Sequence, residues 1–142
     1  MTSFAGFEVA VRTIYGEARG EPREGKHAVM WVILNRARGK GYGGPTLIGV
    51  CQRKLQFSCW NPGDLMRVKV ELADVEKLAN CLEAATEVLV GKVPDPTGGA
   101  THYLNPEVTR RIRVDGDLPD WARDEWLTAK IGAHWFYKIE EK

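Results

Sequence analysis

The chain has 142 residues, 44% hydrophobic and 27% charged, with a net charge of +1 at pH 7. That is enough chain to bury a core without disulfide or metal staples, and the balance is that of one globular domain over residues 1–142. The near-neutral charge leaves no broad basic face for nucleic acid, and no apolar run reaches the roughly 20 residues of a spanning helix, so nucleic-acid binding and stable membrane insertion are not expected.

Taken in chain order, the first element is a helix in which Phe7, Val11, Ile14 and Ala18 recur at helical spacing with Ala10 beside them. Gly20 and Pro22 end it, because Gly20 frees the backbone and Pro22 drives Glu21 out of helical geometry. A second helix is expected from about Glu24 to Arg38, with Ala28, Val29, Val32, Ile33 and Ala37 as its stripe. GKGYGG is a loop, Pro45 to Val50 is short and apolar, and CQRKLQFSCWNPGD is rich in aromatics and turn formers. Ala73 to Val90 carries the clearest helical period, through Val75, Leu78, Leu82, Ala85 and Leu89, and Gly91 closes it.

The texture then changes. PDPTGG reads as a loop, ATHYLN as a short strand ended by Pro106, and Glu107 to Asp124 as irregular chain. AKIGAHWFYKIE fits either a strand or a buried apolar segment, since periodicity does not separate the two. The expected fold class is therefore α+β, mainly α, with a small sheet supplied by the second half.

Two glutamates, Glu17 and Glu21, flank the break between the first two helices. One reading makes them solvated charges paired with Arg12, Arg19 and Arg23. The other makes Glu17 a proton donor. A carboxylic acid that protonates an ether-like oxygen must stay neutral near pH 7, which requires desolvation, and the negative end of a helix dipole also disfavours its anion. In the second half Gln56, Phe57, Ser58, Trp60 and Asn61, then Thr101, His102, Tyr103 and Asn105, are of the types that line sugar grooves. Phe57 and Trp60 also suit a core, and His102 a structural role.

These blocks, IYGEARGEPREGKHAVMWVILNR, QFSCWN, GATHYLNP and IGAHWFYK, occur in an order that resembles the SleB/CwlJ-type cell wall hydrolases. The resemblance runs from about Phe7 to Lys138. It implies a lysozyme-like, mostly helical fold with a small antiparallel sheet, and a glycosidase-type enzyme acting on peptidoglycan glycan strands. Separately, no cofactor or metal is expected, and the chain is expected to be a monomer. The resemblance places the catalytic acid at Glu17 and assigns Glu21, Gln56, Ser58, Thr101, His102 and Tyr103 to substrate binding or to orienting that acid. The expected reaction is lytic transglycosylation between N-acetylmuramic acid and N-acetylglucosamine, with hydrolysis by a muramidase as the alternative.

Other readings stand beside it. A zinc amidase or peptidase would need ligands from His27, His102, His134 and the three cysteines, without an HExxH motif. A non-catalytic glycan-binding module would not need Glu17. The N-terminus carries no secretory signature, which with the short chain favours a phage endolysin released through a holin-opened membrane over a spore enzyme. Cys51 and Cys59 would then be free to pair on reaching an oxidising compartment, whereas Cys81 reads as a buried small hydrophobe.

Overall fold

The computed structural model describes residues 2–54 and 56–140, leaving out Met1, Leu55, Glu141 and Lys142. The order of elements is α1 (Phe4–Ala18), α2 (Arg23–Arg38), α3 (Leu47–Cys51), α4 (Leu65–Leu72), α5 (Val75–Leu89), β1 (His102–Leu104), α6 (Pro106–Ile112), β2 (Leu127–Ile131) and β3 (His134–Tyr137), with 3-10 turns at Ser58–Trp60 and Asp124–Trp126. The chain is thus mainly helical, with one small antiparallel sheet.

Helix α1 begins at Ser3, whose hydroxyl accepts from the Gly6 amide, and α5 begins at Asp74, whose carboxylate accepts from the Lys77 amide. Such caps contribute about 1 kcal/mol each by satisfying amides that the helix itself leaves open. The buried stripe of α1 (Ala10, Val11, Ile14 and Ala18) packs with Val29, Met30 and Ile33 of α2 and Leu78, Cys81, Ala85 and Val88 of α5. Phe57, Cys59 and Val70 close the same core from the segment that follows.

The sheet has the order β1-β3-β2, every pair antiparallel, with Tyr103 opposite Phe136. It lies on α2 through a second cluster made by Ala28, Val32, Ala100, Ile131 and Phe136. Tyr103 packs against both clusters, so it sits on the seam between the helical layer and the sheet. The terminal segment left open by its periodicity forms two strands, β2 and β3, joined at Gly132 and Ala133.

Two helices depart from expectation. Pro106 does not merely end a strand: it starts α6, where Asn105 caps the Val108 amide and proline fits the first turn. No residue of α6 is buried, so it has no apolar stripe to read. Within the turn-rich stretch after Trp60, Asp64 accepts from the Met66 amide and starts α4.

Candidate active site

The site begins with a close approach. A β-carbon placed on Gly16 would lie 2.7 Å from Cys59 Cβ, 2.8 Å from its Sγ and 2.9 Å from Val70 Cγ2. Only glycine lets the Ser58–Trp60 turn settle against α1 at this level. The same turn is pinned by the Trp60 indole, which donates to Thr13 Oγ1 at 2.8 Å, while Thr13 itself donates to Val9 O. Phe57 and Trp60 therefore serve packing, the first fully buried and the second half-buried.

Glu17, in the last turn of α1, is held by this arrangement. The Tyr103 hydroxyl donates to Glu17 Oε1 at 3.0 Å, across 86 residues of sequence. Burial raises the Glu17 pKa above its ordinary value near 4.5 and outweighs the opposing pull of Tyr103, the Cys59 thiol and the Arg36 charge; nearby Asp64 adds to the rise. Arg19 does not neutralise the acid. It stacks on Tyr15 at 5.5 Å and reaches the Tyr15 carbonyl at 3.5 Å. Arg23 is turned away as well, paired with Glu83 and Glu87 rather than with Glu21.

Glu17 opens on a cavity of about 310 Å³ shared with Gly16, Arg19, Glu21, Asn105 and His134. A larger hollow of about 940 Å³ lies around Trp31, Arg38 and Pro45, but it contains no carboxylate and no partner for acid–base work. Chemistry favours the smaller one. Glu21 Oε1 accepts from the Ala133 amide at 2.9 Å and lies 3.6 Å from His134 Nδ1, so it ties the β2–β3 turn to the end of α1.

The remaining sequence-derived residues are spread around this centre. Gln56 is half-buried and Ser58 exposed, at the start of the turn that carries Cys59. Thr101 Oγ1 is 2.9 Å from His102 Nδ1, and the His102 ring packs between Tyr42 at 5.8 Å and Trp121 at 5.0 Å. Burial, then the Arg36 charge, lowers the His102 pKa to about 4. Strand alternation explains the division: His102 leaves β1 on one side and Tyr103 on the other, so only Tyr103 reaches Glu17. Among the described residues no hydrogen bond joins Gln56, Ser58, Thr101 or His102 to Glu17.

Arg36 is a participant that sequence reasoning missed. It is 5% exposed, and its Nε donates to Thr101 O at 2.6 Å, anchoring the entry to β1 two residues before Tyr103. Its guanidinium lies 4.8 Å from the Phe57 ring centre, and its Nη1 has no hydrogen-bond partner among the described residues. The available signal was an arginine on the buried side of α2, one position before Ala37. The loop feeding β1 is fixed by Asp95, which accepts from Thr97 N and Oγ1, Gly99 N and Asn35 Nδ2. Burial would raise the Asp95 pKa, but these hydrogen bonds hold it below its ordinary value.

The three histidines have separate settings, His27 beside Glu87, His102 beside Thr101 and His134 beside Tyr103. Among the described residues no three His, Cys, Asp or Glu side chains gather around one point. Cys51, Cys59 and Cys81 are all buried free thiols; burial pushes the Cys51 thiol up to about 12, and Cys59 and Cys81 rise from the same cause.

Comparison with known proteins follows the same geometry. Residues 20–137 match the model of the cell wall hydrolase family, a span that begins just past Glu17. The spore cortex-lytic enzyme of Halalkalibacterium halodurans is 32% identical over 129 residues, covering 91% of this chain and 33% of that protein. That of Bacillus subtilis is 30% identical over 125 residues, covering 88% of this chain and 35% of that protein. The chain thus spans about a third of the length of these relatives. Among solved structures, the catalytic domain of the Bacillus cereus SleB protein superposes with a TM-score of 0.73 at 29% identity, covering 97% of this chain and 93% of that one. The catalytic domain of the germination-specific lytic transglycosylase SleB from Bacillus anthracis gives 0.72 at 29% identity, covering 96% of each chain. On these grounds the chain belongs to the cell wall hydrolase family.

Proposed function

We propose that this chain cleaves the glycan strands of peptidoglycan between N-acetylmuramic acid and N-acetylglucosamine as a lytic transglycosylase, with Glu17 serving first as acid and then as base. The observation that carries this reading is a desolvated carboxyl group, in no salt bridge among the described residues, that receives a hydrogen bond from Tyr103 at the wall of a cavity. Neutral Glu17 protonates the departing glycosidic oxygen while an oxocarbenium-like centre develops at the muramic acid carbon. The sugar's own N-acetyl oxygen stabilises that centre. Glu17, now a carboxylate steadied by the Tyr103 hydroxyl and the Arg36 charge, then removes the proton of the C6 hydroxyl as that oxygen closes a 1,6-anhydro ring.

Single-residue chemistry is favoured over an inverting hydrolysis because the carboxylates that would hold a water are otherwise engaged. Glu21 binds the Ala133 amide, Asp64 caps α4 and Asp95 knots the loop before β1. The similar Bacillus anthracis domain belongs to a germination-specific lytic transglycosylase, which agrees with this reading. Within it, Glu21 shapes the cleft floor, and Gln56, Ser58, Thr101 and His102, which do not line the Glu17 cavity, meet the amino-sugar chain beyond it.

Glu17→Gln tests the reading. The expected result is loss of turbidity clearing on purified peptidoglycan by at least ~10³-fold with the fold intact, the scale for removing an essential general acid. Product mass decides the chemistry: fragments lighter by one water than hydrolysed sugars mark the anhydro ring. Hydrolysed ends alone would make the enzyme a muramidase.

A further inference from the structure

Beside the Glu17 cavity, α1 and α4 enclose a second concavity of about 410 Å³, lined by Tyr15, Arg19, Val68, Lys69, Leu72 and Lys77. Arg19 lines both hollows. The second holds three cations and no carboxylate. Among the described residues Arg19, Lys69 and Lys77 form no salt bridge, a state they share with other surface cations such as Lys40, Lys54 and Lys92. The wall between these cations is apolar and open: Val68 is 60% exposed and Leu72 77%, and Leu65 at 87% continues the same stripe along α4. A helical stripe of this kind normally faces a partner.

We propose that this concavity seats the acidic peptide arm that muramic acid carries on its lactyl group, a claim that rests on the glycan-cleaving reading above. The arm combines small alanine methyls with free carboxylates, and the lining offers the complement: apolar Val68 and Leu72 between Arg19, Lys69 and Lys77. Its place fits too, since Arg19 lines both this hollow and the Glu17 cavity and offers a cation to an arm leaving the sugar next to the cleaved bond. An anionic bilayer shares the charge preference, but Arg19 links this hollow to the cavity at Glu17.

The test compares two soluble substrates of equal glycan length, one with its peptide arms intact and one stripped of them by an amidase. The unaltered chain is expected to show a KM about 10-fold lower on arm-bearing strands at similar kcat, the scale of two or three carboxylate–cation contacts. The variant Lys69→Glu/Lys77→Glu, at two unpaired surface positions, is expected to bring the two KM values together. Equal KM values in the unaltered chain, with both substrates cut, overturn the peptide seat and leave the glycan reading standing. Cleavage of neither substrate overturns the glycan reading and the seat with it. Co-sedimentation with phosphatidylglycerol vesicles that the same variant abolishes assigns the face to lipid, and also overturns the seat.

Discussion

At Glu17 burial competes with three groups that favour the anion, Tyr103, Cys59 and Arg36, and burial prevails. The balance suits a group that must begin neutral and end charged: desolvation protects the first state, and the hydroxyl and the buried guanidinium receive the second. Tyr103→Phe removes one of these supports with little change in volume. The expected outcome is a fall in kcat of roughly 10–100-fold, on the scale of a lost hydrogen bond to a charged group, with the alkaline limb of the pH–rate profile moved to higher pH. The limb moves that way because the lost bond had favoured ionisation. A purely structural role for the hydroxyl would leave the profile in place, and pH-dependent initial rates distinguish the two.

Among the elements, the contact between α1 and the Ser58–Trp60 turn is a tight one next to the acid. Gly16→Ala sets a methyl group against Cys59 and Val70, and the turn must back away. The expected cost is about 1–3 kcal/mol, the usual range for overpacking, read from urea melts, with activity falling further than stability because Cys59 and Asp64 shift relative to Glu17. Helices α1, α2 and α5 were legible in the sequence because each buries a stripe at the helical period. Helix α4 was not, since its outward residues Leu65, Val68 and Leu72 are apolar and blur the contrast between its faces. Glu17 stood out through the blocks around it. The hydrogen bond from Tyr103, the anchoring by Arg36 and the pinning of the β-turn by Glu21 come from chain-distant docking, which no local pattern encodes.

For the whole molecule, two kinds of buried group drive stability in opposite directions with pH. The folded chain holds the Glu17 proton more tightly than the unfolded chain, so that contribution is complete below about 4.5 and is lost as pH rises through the raised value. His102, lowered to about 4 by burial and Arg36, and His134, lowered by burial against the pull of Glu21, work the other way. Their contribution is complete above the ordinary value of 6.5 and is lost as pH falls from there toward the lowered values. The expected outcome is that Glu17→Gln melts at a higher temperature than the parent by a margin that widens as pH rises above 4.5, since a buried carboxylate no longer needs to form. Calorimetric scans across that interval check it. Equal melting temperatures at every pH would place the carboxyl group in a better-solvated setting.

The seam occupied by Tyr103 has an outcome for heat inactivation. The acid belongs to the helical layer and its hydroxyl donor to the sheet, whose footing on α2 is the small cluster around Phe136. Local opening begins where the least apolar surface is buried, so gentle warming frees the sheet before it melts the helices. The proposed glycan cleavage is then expected to be lost at a temperature where the far-ultraviolet helical signal is still whole, and to return on cooling. In effect the lysis assay acts as a thermometer of how firmly the two layers clasp one another.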